Sequence, residues 1–236
     1  MKRTYLIILF FTIGFTFSAF AQINKRPPYN YKYWSSQRTY EFNAKYIDID
    51  GKVLTDENLE IHPTEKIWDI DSKQTLLNFK LNYKKEDSIL YANKPLNNKK
   101  RGWENNYQEG AIEDSSKIWM HPVRNNQYLL TEIAPFPEVR FPLSIGKNWN
   151  GTLWIYEAFG TFQGTVTYNY LIEGVEVRKY LFGTFKCWKI LARGMHDKLG
   201  ESSVIFYFNT ELGFTEMNYI FYNGQKIIFT LTNFEL

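Results

Sequence analysis

Beyond Tyr40 the chain alternates apolar and polar residues with a period of two, the spacing at which successive strand side chains point to opposite faces of a sheet. The run YEFNAKYIDID ends in Asp50-Gly51, a dipeptide suited to the positive φ angles of a tight hairpin turn, so Phe42 to Ile49 is predicted to pair with the strand after Lys52. Two further turns are predicted on the same ground. VTYNYLIEGVEVRKYLFG places Glu173-Gly174 between two β-rich runs, and NYIFYNGQKIIFTLT places Asn223-Gly224 between Tyr222 and Gln225. Thr215, Met217, Tyr219 and Phe221 alternate with Glu216, Asn218 and Ile220, as a strand with one more buried face requires. No segment carries a capped stripe of helical period, although Asp56–Ile70 and Glu109–Trp119 each have room for a turn or two of helix. The pattern predicts an all-β protein, a curled antiparallel sheet or open half-barrel with one or two short helices.

The start of the chain reads differently. MKRTYLIILFFTIGFTFSAFAQ opens on Lys2 and Arg3, continues through an uncharged apolar run, and ends with Ala19 and Ala21 placed three before and one before the bond to Gln22. These are the three parts of a secretory signal peptide. The apolar run is shorter than the ~20 residues of a spanning helix. Residues 1–21 are therefore expected to be removed on export to the periplasm, the outer-membrane surface or the medium, with no transmembrane segment left afterwards. Position 22 is Gln, so the cysteine that would carry a lipoprotein's lipid is not there. Residues 22–39, with paired prolines and no sustained period, are expected to form a flexible surface arm, and residues 40–236 a single β-domain.

Composition adds two limits. Hydrophobic residues make up 44% of the sequence and aromatic residues 18%, enough for a large core and weighted toward residues that favour strands. The formal charge is +3, two units of which sit on Lys2 and Arg3, so nothing points to a nucleic-acid partner. The basic cluster KPLNNKKRG, Lys94 to Gly102, reads as a solvated loop or as a contact for an acidic surface.

The single cysteine, Cys187, cannot form an internal disulfide. In GTFKCWKI it shares a strand face with Phe185, opposite Trp188 and Ile190, and is expected in the core; Lys186 and Lys189 are the neighbours that would activate it as a nucleophile. His62, His121 and His196 show no metal spacing, and neither a nucleophile elbow nor a phosphate-binding loop occurs. No cofactor and no enzymatic activity are expected. The acid pairs Asp48/Asp50 and Asp69/Asp71 read as turn and surface carboxylates. The strongest polar constellation is KIWMHPVRNNQYLLTEI, where Trp119 and His121 share a strand face before Pro122 and Arg124 follows. Trp119, His121 and Arg124 offer an apolar plate, a switchable donor and a fixed cation, the parts of a ligand-binding spot. The alternative is internal: Trp119 packs in the core while His121 and Arg124 brace the following loop through backbone carbonyls or Glu132.

PFPEVRFPLSIGKNW, VEVRKYLFGTFKCWKI and SVIFYFNTELGFTEMNY together resemble uncharacterised exported β-proteins of Gram-negative bacteria. The positions that carry the resemblance are Pro142, Gly146 and Trp149; Gly183, Phe185 and Cys187; and Leu212, Gly213 and Phe214. WMHPVR is similar to a Trp-x-His-Pro-Pro-Arg element, departing from it at Val123. The resemblance implies a curled sheet like that of periplasmic carriers of apolar cargo, and it implies no reaction. An exported, non-enzymatic domain is expected, binding an apolar ligand or an envelope partner protein on its concave face. The other reading is a carbohydrate-binding or surface-interaction module that stacks sugars on exposed aromatic rings.

Overall fold

The computed structural model describes residues 32–87 and 104–235; the signal sequence, the basic cluster at Lys94 to Gly102 and Trp103 lie outside the described residues. The described residues form one twelve-stranded antiparallel sheet, curled into a half-barrel. Its strands are β1 (Thr39–Ile47), β2 (Val53–Trp68), β3 (Asp71–Asn82), β4 (Asn106–Glu113), β5 (Lys117–Met120), β6 (Glu138–Arg140), β7 (Asn148–Ile155), β8 (Gly164–Tyr180), β9 (Gly183–His196), β10 (Gly200–Asn209), β11 (Gly213–Ile220) and β12 (Lys226–Glu235). The spatial order runs β6-β5-β4-β3-β2-β1-β12-β11-β10-β9-β8-β7. First and last strands therefore pair at the centre, and each half of the chain meanders outward from that pair to its own edge. No helix of the described residues is long and apolar enough to cross a membrane.

Alternation decides which face is inside. In β1, Tyr40, Phe42, Ala44 and Tyr46 are buried, and in β2 Leu59 and Ile61 continue the same inner surface. The turn at Asp50-Gly51 closes where the dipeptide predicts, with Gly51 at φ 84° and Asp48 Oδ1 accepting the N–H groups of Asp50 and Lys52. The Asn223-Gly224 turn also forms, with Gly224 at φ 81°.

Four expectations are corrected. Glu173-Gly174 is no turn: β8 runs through it with a register shift between Ile172 and Gly174, and the chain reverses at Leu181-Phe182. A bulge absorbs the glycine because the strand has partners on both sides of it. Asp56–Ile70 lies in β2 and its hairpin turn, and Glu109–Trp119 spans β4, a turn and β5. Short 3-10 segments stand elsewhere, at Asn126–Ile133 and Glu157–Phe162. Finally, Tyr33 and Trp34, within the stretch read as a surface arm, are buried. Glu113 holds them there, its carboxylate accepting the backbone N–H groups of Lys32, Tyr33 and Trp34 at 2.7, 3.0 and 2.8 Å.

Candidate functional site

Between β5 and β6 the chain leaves the sheet and crosses the hollow of the curl. Every residue from Pro122 to Pro137 except Asn126 is buried. Leu129, Leu130 and Ile133 join the same apolar core as the strands, and the Tyr128 ring lies 5.5 Å from Phe229 of β12. On the far side, Tyr170 of β8 donates a 2.6 Å hydrogen bond to the Phe136 carbonyl. Over this stretch the concave face expected to take cargo is occupied by the protein's own chain. Among the described residues, the void against Trp34, Tyr40, Phe42 and Met120 holds only about 10 Å³, less than one water requires.

Two polar clusters anchor this crossing segment. Gln127 Nε2 donates to Glu57 Oε1 at 2.9 Å and the Tyr128 hydroxyl to Glu57 Oε2 at 3.0 Å. Glu57 is buried, and burial pushes its carboxyl above the usual glutamate range while the bonds from Gln127 and Tyr128 offset part of the rise. The second cluster centres on Arg124, which forks onto Glu109 and donates from Nη1 to Glu132 Oε2 at 2.8 Å. Burial alone would lower the Arg124 pKa; Glu132 and Glu109 outweigh it, and the net direction is up.

Trp119 and His121 come together as their shared strand face requires, with ring centres 4.7 Å apart and Phe136 beside both. Trp68, the last residue of β2, also lies edge-on to His121, with ring centres 5.3 Å apart. Arg124 turns instead to its two carboxylates, one of them the Glu132 that the internal alternative names. A cleft of about 840 Å³ opens beside this cluster, with Arg124, Glu109, His62, Trp68 and Tyr107 in its wall. Glu57 and Glu109 are two buried carboxylates that sequence reasoning passed over. Their signal was parity: Glu57 is in phase with Leu59 and Ile61, and Glu109 with Ala111, so alternation puts both carboxylates inside.

A separate small core lies on the outer face. Beyond the bulge, the end of the β8–β9 hairpin folds over β10 and β11, enclosing Tyr180, Cys187 and Tyr207. Arg178 ties this arm down, donating to Glu216 Oε1 from Nε at 3.0 Å and to Oε2 from Nη2 at 2.9 Å, with its guanidinium 4.2 Å from the Tyr207 ring centre. Cys187 is fully buried and burial pushes its thiol pKa up, so the thiol is interior as expected, though in this second core.

Among the described residues, the tryptophans do not share one exposed face. Trp34, Trp68 and Trp149 are buried, Trp119 and Trp188 half-buried, and Trp154 stands exposed. Trp154 belongs to β7, one edge of the sheet. Ile172 N–H bonds the Lys147 carbonyl and Asp197 N–H the Thr165 carbonyl, which fixes the ladder alternation on both sides of β8. Asn148, Asn150, Thr152 and Trp154 therefore turn their N–H and C=O groups away from β8, and all four are exposed. Among the described residues, none of these outward groups has a backbone partner. No group of three or more His, Cys, Asp and Glu residues among those described is placed to hold a metal ion.

No protein-family model matches the sequence, and the search of curated proteins gives no match. Among solved structures, the chain is similar to a candidate exported protein with a YmcC-like fold from Bacteroides fragilis, at 12% identity and a TM-score of 0.49, over 86% of this chain and 97% of that one. A candidate lipoprotein from Parabacteroides distasonis aligns at 9% identity and a TM-score of 0.44, again over 86% and 97%. The hypothetical lipoprotein YmcC from Escherichia coli aligns at 8% identity and a TM-score of 0.39, over 86% of this chain and 90% of that one.

Proposed function

We propose that the protein is an exported, non-catalytic domain of the cell envelope that recruits a partner protein by strand addition at β7. The supporting observation is the state of that edge. NWNGTLWI carries no charge, no proline and no bulge, the devices by which sheets protect their edges. It leaves four residues' backbone groups free for a ladder, with Trp154 at 61% exposure and Tyr156 at 70% marking one end. An extended segment of a partner would gain main-chain hydrogen bonds along the strand and specificity from aliphatic side chains set against the two rings. A second copy fits less well. In an antiparallel self-pair that engages the whole strand, centred on Gly151, Trp154 lies opposite Asn148 of the other copy and gains no apolar neighbour. The Trp119, His121 and Arg124 group supports the non-catalytic reading, because Arg124 is consumed by two internal carboxylates. Export rests on the signal pattern of residues 1–21.

The test is site-specific photo-crosslinking from position 150 in the living envelope. One adduct is expected, with the linked residue in an extended segment of another protein, and Thr152→Pro is expected to abolish it while the melting temperature is kept. The proline removes an N–H that β8 does not use. An adduct of twice the protein's own mass, or one indifferent to Thr152→Pro, overturns strand addition by a partner.

A further inference from the structure

The folded-over arm presents a face that neither the core nor β7 explains. On its outer side Val175, Val177 and Leu181 are 45%, 66% and 91% exposed, and Leu181, at the reversal, is the most exposed large apolar side chain among the described residues. Two lysines share this face: Lys179 by alternation with Val177, and Lys186 directly opposite Val177 in the β8–β9 register. Among the described residues, neither lysine has a carboxylate within ion-pair distance. The nearby cations Arg178 and Lys189 are by contrast committed to Glu216, and to Glu173 and Glu176.

The arm holds this face rigidly. Arg178 locks onto Glu216, Phe182 packs edge-on against Phe234 at 5.6 Å, and Tyr180 and Cys187 fill the space beneath. Next to the tip, a groove of about 900 Å³ opens between the arm and the outer face of β1 and β12, with Lys179 and Leu181 of the arm on one side and Glu41, Asn43, Lys45 and Thr230 on the other. Lys45 adds a third cation there, already shared with Asp56 at 3.5 Å.

We propose that the tip of the β8–β9 arm docks onto an anionic phospholipid surface, with Leu181 and Val177 at the acyl boundary and Lys179 and Lys186 among the headgroups. The choice of partner follows from the arrangement: a narrow apolar point flanked by unpaired lysines whose aliphatic stems can reach upward matches the layering of a charged bilayer surface. The two cations complement its negative potential. The groove beside the tip offers amide, hydroxyl and ammonium groups at the level where headgroups would lie, and its carboxylate, Glu41, accepts a hydrogen bond from Asn233. This docking is independent of β7, which lies at the edge of the sheet.

Co-sedimentation of the purified protein with vesicles of phosphatidylcholine alone, or mixed with phosphatidylglycerol, tests it. Binding to the mixed vesicles is expected, with none to phosphatidylcholine alone, and it should weaken as salt is raised. Lys179→Gln and Lys186→Gln should each weaken it roughly fivefold, and Leu181→Asp should weaken it more than about tenfold. Ile145→Asp, at a similarly exposed apolar residue by the base of the hairpin instead of its tip, should leave it unchanged. Leu181 is too exposed for its replacement to unfold the domain, and an unchanged melting temperature confirms that for each variant. Equal binding to neutral vesicles, no binding to either, or full binding by Leu181→Asp overturns the proposal. So does a wild-type oligomer that Leu181→Asp dissociates while no vesicle is bound, since the tip would then be a protein contact.

Discussion

Arg124 grips Glu109 with two parallel hydrogen bonds, Nε to Oε1 at 2.8 Å and Nη2 to Oε2 at 2.6 Å, and the side chains are only 9% and 3% exposed. Glu132 also bonds the same guanidinium, so among the described residues Arg124 ties two buried carboxylates together. Arg124→Met is expected to cost about 3–5 kcal/mol, the penalty of removing one partner from a buried ion pair, and to be read as a fall in the urea midpoint. Arg124→Lys should recover little, because an ammonium cannot reproduce the planar fork. A change under about 1 kcal/mol in either variant would mean that water reaches the pair.

That cluster also shows where sequence reading stops. The inner faces of β1 and β11 were legible because alternation is local, and the Asn223-Gly224 turn because positive φ is written into the dipeptide. The Arg124–Glu109 pair joins residues on different elements, and nothing local distinguishes it from a surface-facing arginine. Tyr33 and Trp34 were missed for the same reason, since the Glu113 carboxylate that buries them lies about eighty residues further on. Glu173-Gly174 misled because register in a long strand is set by its neighbours, which turned an apparent turn into a bulge.

Glu57 gives the crossing segment a pH dependence. Its folded-state pKa is raised by burial, so the fold favours the protonated carboxyl. The associated stability is fully present below the ordinary glutamate range and is lost as pH rises through the raised value. Glu57→Gln, which stays neutral and keeps an acceptor for Tyr128, is expected to match the wild type at the acid end. It should be the more stable of the two near neutrality. Urea midpoints measured from pH 4 to pH 8 check this, and parallel curves for the two proteins would show that Glu57 does not titrate differently on folding.

Gly224 and Gly51 occupy equivalent turns at φ 81° and 84°, yet their surroundings differ. A Cβ on Gly51 meets nothing within 4 Å, whereas one on Gly224 meets Ile49 Cγ1 at 3.0 Å. Gly51→Ala should therefore cost only the backbone penalty, about 1 kcal/mol, and Gly224→Val should cost roughly 1–3 kcal/mol through its branched side chain. Ile49→Ala is expected to return part of the second loss and none of the first. Thermal melts of the three single variants and of Ile49→Ala combined with each glycine variant separate the two contributions.

Cys187 reports on the arm. Its Sγ lies 3.6 Å from Thr215 Oγ1 and 3.9 Å from the Tyr180 hydroxyl, under the hairpin end that Arg178 fastens to Glu216. Burial blocks approach and raises the thiol pKa, so the native protein should react slowly with a thiol reagent at neutral pH and quickly once unfolded. Arg178→Ala removes the fork to Glu216 and the contact with Tyr207 without touching the main core. Labelling should then quicken roughly tenfold, the change that ~1.4 kcal/mol makes in a local opening equilibrium, while the global melting temperature shifts little. Cys187→Ala should cost about 1 kcal/mol and leave vesicle binding intact, because the thiol supports the arm from below and Leu181 meets the membrane. Fast labelling of the wild type, or a rate in Arg178→Ala that tracks global unfolding alone, would show that the arm does not move as a unit over its own small core.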